Sequence, residues 1–281
     1  MCGQGAGHDA NARDAGARGT PLPTIASVIQ LKSQREIEIM ARGGQILAAA
    51  VHLAETDMRA GMTTLDVDRM IEDFIRSHEG ATPSFKGLYG FPGSVCASIN
   101  EEIVHGIPSA KRTIHEGDVV SIDVGVLFEG YHTDSATTVA IGEVDAQSRK
   151  LIDVTKAALE AGVAAATPEN YVGDIGAAVQ GVVEAAGFNV TRDLVGHGIG
   201  RTFHEEPNVP NYGKPKRGTK LQVGLTIAIE PMVMIGGHKT RQLSDRWTIV
   251  TADKSRAAHF EHTVAITADG PRVLTRLNGA N

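Results

Sequence analysis

Apolar and small residues recur at Ile37, Met40, Gly44, Leu47 and Val51, one face of a 3.6-residue period. They follow Ser33-Gln34-Arg35-Glu36, which has the form of a capping box, so a first helix is predicted over about 34–57. A second stripe, Val67, Met70, Ile71, Phe74 and Ile75, starts after the breaker Gly61 and ends before Gly80, predicting a second helix. From about 94 to 141 the pattern turns to short β-rich runs separated by glycine-containing turns. Val119-Val120-Ser121-Ile122-Asp123-Val124 and Thr137-Thr138-Val139-Ala140-Ile141 are the clearest of these. The same order then repeats: a helix over about 148–164, another carrying Ile175, Ala178, Val179, Val182 and Val183, and a strand-rich end.

Landmarks recur in sequence between the halves. His105-Gly106-Ile107 is echoed by His197-Gly198-Ile199, Gly117-(x)4-Ile122-Asp123 by Gly224-(x)4-Ile229-Glu230, and Thr138-Val139-Ala140-Ile141 by Thr263-Val264-Ala265-Ile266. Together with the second helix of each half, four matches in one order argue for a duplication packed as two similar halves, about 34–142 and 148–275. A site between the halves is expected.

Composition narrows the partners. Of 281 residues, 42% are hydrophobic and 21% charged, too polar for a membrane span. A formal charge of −6 speaks against a general grip on nucleic-acid phosphates, which needs clustered Lys and Arg. Two cysteines, Cys2 and Cys96, give no disulfide framework and fit a reducing, cytoplasmic setting. Residues 1–26 are rich in Gly, Ala, Asp and Arg, lack an apolar signal region, and read as a disordered tail before a single domain over 27–281. The broken basic stretch 211–220 reads as a solvated loop, with a contact to ribosomal RNA as the weaker alternative.

Acids occupy unusual places. Asp123 and Glu230 end apolar runs, while Asp134 and Glu261 precede the repeated Thr-Val-Ala-Ile segments. Any one of these alone is more often a turn or edge residue. As a symmetric set of four, flanked by Val, Ile and Ala and with no Lys or Arg in the runs, they need positive charge from elsewhere. Divalent cations would supply it, and His197, within Gly196-His197-Gly198-Ile199-Gly200, offers an imidazole. Such a ligand set suits Mn, Fe, Co or Zn better than Ca.

Over about 27–275 the chain resembles the methionine aminopeptidases of type I. The resemblance is carried by Asn100-Glu101-Glu102-Ile103-Val104-His105-Gly106-Ile107-Pro108, Gly196-His197-Gly198-Ile199-Gly200, Phe203-His204-Glu205-Glu206-Pro207, Ile229-Glu230-Pro231-Met232 and Glu261-His262-Thr263. It implies an α+β pita-bread fold, two pseudo-twofold-related helix-helix-strand halves around a central antiparallel sheet. It also implies metal-dependent removal of the initiator methionine from nascent polypeptides whose second residue is small. By the same resemblance two divalent ions are held by Asp123, Asp134, His197, Glu230 and Glu261, with Asp134 and Glu261 bridging and Glu230 also shuttling a proton. His105 and His204 match histidines that contact the scissile amide. Phe85, Leu88, Phe91, Cys96, Phe203 and Trp247 match the methionine pocket, Leu88 and Phe91 standing where bacterial relatives commonly have tyrosine. A monomer acting on nascent chain termini is expected. Three rivals fit less well: proline-specific peptidases of the same fold, which carry an extra N-terminal domain for which about 30 residues leave no room; type II methionine aminopeptidases, which carry an insertion in the second half, where His197 and Glu230 here lie just 33 positions apart; and ligand-less adaptors or RNA binders, which would have no reason to retain four buried acids.

Overall fold

The computed structural model describes residues 29–278, so the tail predicted over 1–26 lies outside the described residues. Four helices form where the apolar stripes put them. In α1 (Gln34–Asp57) the Ser33 hydroxyl accepts from the Glu36 amide at 3.4 Å and the Glu36 carboxylate accepts from the Ser33 amide at 2.8 Å. A second such box, Thr63 with Asp66, starts α2 (Thr64–Arg76). Asp145 caps α3 (Ala146–Ala165), and Asp174 accepts from the Tyr171 amide at 2.9 Å at the start of α4 (Val172–Ala185). These bonds satisfy amide groups that a helix start leaves without a partner.

Each helix pair buries its apolar face on the sheet of its own half. Leu47, Val51, Val67, Ile71 and Ile75 pack with Val120, Ile122, Val124 and Val126, while Ile152, Leu159, Val163 and Ile175 pack with Ile227, Ile229, Val264 and Ile266. In the first half Val119–Phe128 pairs antiparallel along its whole length with Tyr131–Ala140, and its other edge takes Val95–Ile99 and Ala81–Pro83. In the second, Thr226–Ile229 lies between His262–Thr267 and Gly196–Gly198, with Gly270–Val273 and Glu205–Val209 outside them.

The main sheets of the two halves join at a seam, which forms the expected central antiparallel layer. There Glu261 donates its amide to the Ala136 carbonyl at 3.0 Å, and Ala136 donates to the Glu261 carbonyl at 3.4 Å. One placement differs from the sequence reading: Asp123 sits in the middle of a ten-residue strand, not at the end of a run. The ladder continues through Gly125, where a Cβ would stand 2.9 Å from both the Phe85 and Phe203 rings. A glycine at that position reflects the close approach of two aromatic rings, not the end of a strand.

Candidate metal centre and adjoining pocket

The acids gather at the seam. Asp123 faces Ala136 and Asp134 faces Gly125, which makes the two aspartates diagonal neighbours on one face of the first hairpin. In the second half His262 pairs with Ile229, so Glu261 and Glu230, one residue beyond each, stand opposite one another where the ladder ends. Thr263 fixes the two halves in register: its hydroxyl accepts from the Asp134 amide and donates to the Asp134 carbonyl, both at 2.8 Å. Ser135 adds a hydroxyl bond to the Glu261 carbonyl at 2.8 Å. His197 enters from Gly196–Gly198, a strand run so close to its neighbour that a Cβ on Gly198 would lie 2.2 Å from the Glu206 carbonyl oxygen.

Asp134, His197 and Glu261 each present a ligand atom within 4.8 Å of the others. His197 Nε2 is 3.9 Å from Asp134 Oδ2 and 3.8 Å from Glu230 Oε1, yet these contacts are not ion pairs. Burial takes the His197 imidazole down to about 3, so the ring is neutral at pH 7. Its Nδ1 lies 2.8 Å from the Gly198 carbonyl, to which only an N–H can bond. Nε2 therefore carries a lone pair directed at two carboxylates. Acceptors facing acceptors call for a cation, and a histidine that donates its other N–H to a backbone carbonyl is the usual form of a metal ligand.

The remaining groups point the same way. Asp123 Oδ1 and Glu261 Oε1 are buried with no hydrogen-bond partner among the described residues. Burial raises the carboxyl pKa of Asp123, Asp134, Glu230 and Glu261, and repulsion among the acids raises Asp134 and Glu261 further. Their close basic neighbours among the described residues are two histidines, His197 and His259, with no Lys or Arg in contact. The residues thus fit divalent metal, which would let the four crowded carboxylates, three of them buried, ionise together.

Against this centre lies a cavity of about 150 Å³ whose wall includes all six expected pocket residues, Phe85, Leu88, Phe91, Cys96, Phe203 and Trp247. Phe85 meets Phe203 edge-on at 5.3 Å, and Phe91 meets Trp247 edge-on at 5.1 Å. Cys96 is wall, not nucleophile: burial pushes its thiol pKa well up. His105 is held at φ 60, a left-handed conformation that costs a non-glycine residue about 1–3 kcal/mol, with its ring 6.4 Å from Trp247. Burial takes its pKa down to about 4, so it too is neutral at pH 7. The His204 ring lies 4.3 Å from that of His197, and its Nδ1 is 3.2 Å from the Tyr89 hydroxyl. A wider polar cleft of about 730 Å³ shares His105, Asp123, His204 and Glu230 and extends to Gln30, Asp193 and Asn208.

Two residues at the site were missed in the sequence, Tyr89 and His259. Tyr89 stands between Gly87 and Gly90 in a turn that carries it to the cavity, and an aromatic residue bracketed by glycines was the available signal. His259 lines the polar cleft within reach of Glu230. The basic stretch 211–220 is elsewhere: its Lys214, Lys216, Arg217 and Lys220 are exposed in a loop whose Lys216 bonds to Asn170 at 2.6 Å. No helix among the described residues is long and apolar enough to cross a membrane.

Comparison with known proteins matches residues 38–268 to metallopeptidase family M24. The chain is 48% identical over 248 residues to a methionine aminopeptidase of Clostridium perfringens, covering 88% of this chain and 99% of that protein. It is 44% identical to methionine aminopeptidase 1 of Bacillus subtilis, covering 89% and 100%. The crystal structure of methionine aminopeptidase from Thermotoga maritima superposes with a TM-score of 0.87 at 41% identity, covering 89% of this chain and all of that one.

Proposed function

Because the chain belongs to metallopeptidase family M24, among its methionine aminopeptidases, we propose that the cavity beside the seam acids is where an N-terminal methionine is bound and cleaved. The enzyme is a metal-dependent hydrolase of the pita-bread fold that removes the initiator methionine from polypeptides whose second residue is small. The observation that carries the site assignment is the lone pair of His197 aimed at Asp134 and Glu230 beside two unpartnered carboxylate oxygens.

On this reading Asp123, Asp134, His197, Glu230 and Glu261 hold two divalent ions. Such ions, when bound, would supply Lewis-acid polarisation of the scissile carbonyl and a water acidic enough to be the nucleophile at neutral pH. The chain's own groups do the rest. The apolar wall from Phe85 to Trp247 takes the unbranched thioether side chain and excludes water from it. His105 and His204, at the junction of cavity and cleft, bond to the amide being cut and stabilise the oxyanion. Glu230, ionised once cations are bound, accepts the nucleophile's proton and passes it to the departing nitrogen. Beyond the site, the enzyme is read as a cytoplasmic monomer, and the exposed cations of 211–220 as a solvated loop.

The test is release of methionine from Met-Ala-Ser by metal-stripped protein with Mn, Fe, Co and Zn returned separately. Cleavage restored by one or more ions is expected. Equal turnover of Lys-Ala-Ser, or faster cleavage of Met-Arg-Ser than of Met-Ala-Ser, would replace this reading with a broad aminopeptidase.

A further inference from the structure

Four buried side-chain atoms lack a hydrogen-bond partner among the described residues: one oxygen each of Asp123 and Glu261, and both ring nitrogens of His259. The oxygens are accounted for by metal. The imidazole is not, because a neutral ring carries one N–H and one lone pair, and leaving both unpaired in the interior is costly. His259 is 1% exposed and sits on Ala257–His259, paired with Met232. Its Nε2 is 3.6 Å from Glu230 Oε2, while His197 Nε2 is 3.8 Å from Glu230 Oε1. Two imidazoles thus straddle the Glu230 carboxylate, one beside each oxygen.

The duplication shows what position His259 occupies. Thr138 and Thr263 are equivalent residues of the repeated Thr-Val-Ala-Ile segments, and Asp134 and His259 each lie four residues before them. The backbone repeats with the sequence. Thr263 accepts from the Asp134 amide and donates to its carbonyl at 2.8 Å each, and Thr138 accepts from the His259 amide at 2.9 Å and donates to its carbonyl at 2.8 Å. The landmarks of the two halves likewise match Asp123 with Glu230 and His105 with His197. His259 is therefore the counterpart, across the pseudo-twofold relation, of a carboxylate at the heart of the site.

Resting on the reading of Glu230 as a metal ligand, we propose that His259 is a positioning residue of the centre: its Nε2–H donates to Glu230 Oε2 and holds Oε1 turned toward the cation. A hydrogen bond of normal length needs the pair to close by about 0.7 Å. Supporting partners of this kind are worth about 10–100-fold in metal affinity or activity.

The experiment uses the full chain, stripped of metal and titrated with Co(II), with the visible Co(II) spectrum and Met-Ala-Ser turnover followed in parallel. His259→Ala is expected to weaken Co(II) binding by about 10–100-fold and to lower kcat by a similar factor with KM little changed. His259→Gln keeps an N–H donor at similar reach and is expected to recover both to within about threefold. His259→Leu keeps the volume without a donor and should behave as the alanine variant, which settles the matter if the alanine variant fails to fold. Wild-type Co(II) affinity in the leucine variant overturns the proposal. So does a glutamine variant as impaired as the leucine one, since the ring would then be a ligand and not a hydrogen-bond donor. Because Co(II) binding is read independently of turnover, a chain that shows this pattern yet releases no methionine would refute the peptidase reading and leave the role of His259 standing.

Discussion

Asp134 and Glu261 lie where the two halves exchange hydrogen bonds, so each carboxylate can serve groups from both. Asp134→Ala or Glu261→Ala is expected to lose bound metal from the whole centre, with turnover falling by more than the roughly 100-fold that loss of a supporting group costs. Elemental analysis beside peptide turnover checks this, and two full equivalents of metal with normal activity would remove the bridging role. His105 is different in kind. His105→Ala should keep its metal and its fold while losing about 100- to 1000-fold in kcat, the scale of one transition-state donor; loss of metal instead would make it a ligand. The four acids were legible in the sequence because carboxylates inside Val and Ile runs have no cheap structural explanation. His259 was not, since Ala257-Ala258-His259-Phe260 contains nothing unusual until the Thr138 and Thr263 contacts reveal which residue it matches.

Helices were readable almost to their ends, because capping side chains and apolar stripes are local signals that need no knowledge of the partner surface. Strands were less so. Gly196–Gly198 and Ile249–Thr251 are only three residues long and owe their conformation to pairing with distant segments, Thr226–Ile229 and Glu102–Val104 respectively. Close packing at these pairings gives its own expectation. Gly198→Ala would press a methyl group on the Glu206 carbonyl and should cost about 1–3 kcal/mol of stability, read as a lower denaturation midpoint with unchanged slope. A substitution without effect on the midpoint would mean that the loop yields freely and does not hold His197.

At the scale of the molecule, metal and protons are linked. In the metal-free protein the raised pKa values keep part of the seam carboxyl set protonated at pH 7, whereas His197 is already neutral. Cation binding favours the ionised acids, so uptake at pH 7 should release protons and affinity should rise with pH through the neutral range. Calorimetry in buffers of different ionisation enthalpy measures the number released, and a value of zero would contradict the raised carboxyl pKa values. The apolar cavity of about 150 Å³ has a further consequence, for when the reaction stops. A chain shortened by one residue returns with Gly, Ala or Ser at its head, and such a side chain leaves most of the apolar chamber empty. At about 0.8 kcal/mol per missing methylene-sized group, three or four such groups forgo about 2–3 kcal/mol, a penalty of roughly 30- to 200-fold in kcat/KM. Trimming is therefore self-limiting: the product disqualifies itself by what it has lost, and no separate stop signal is required.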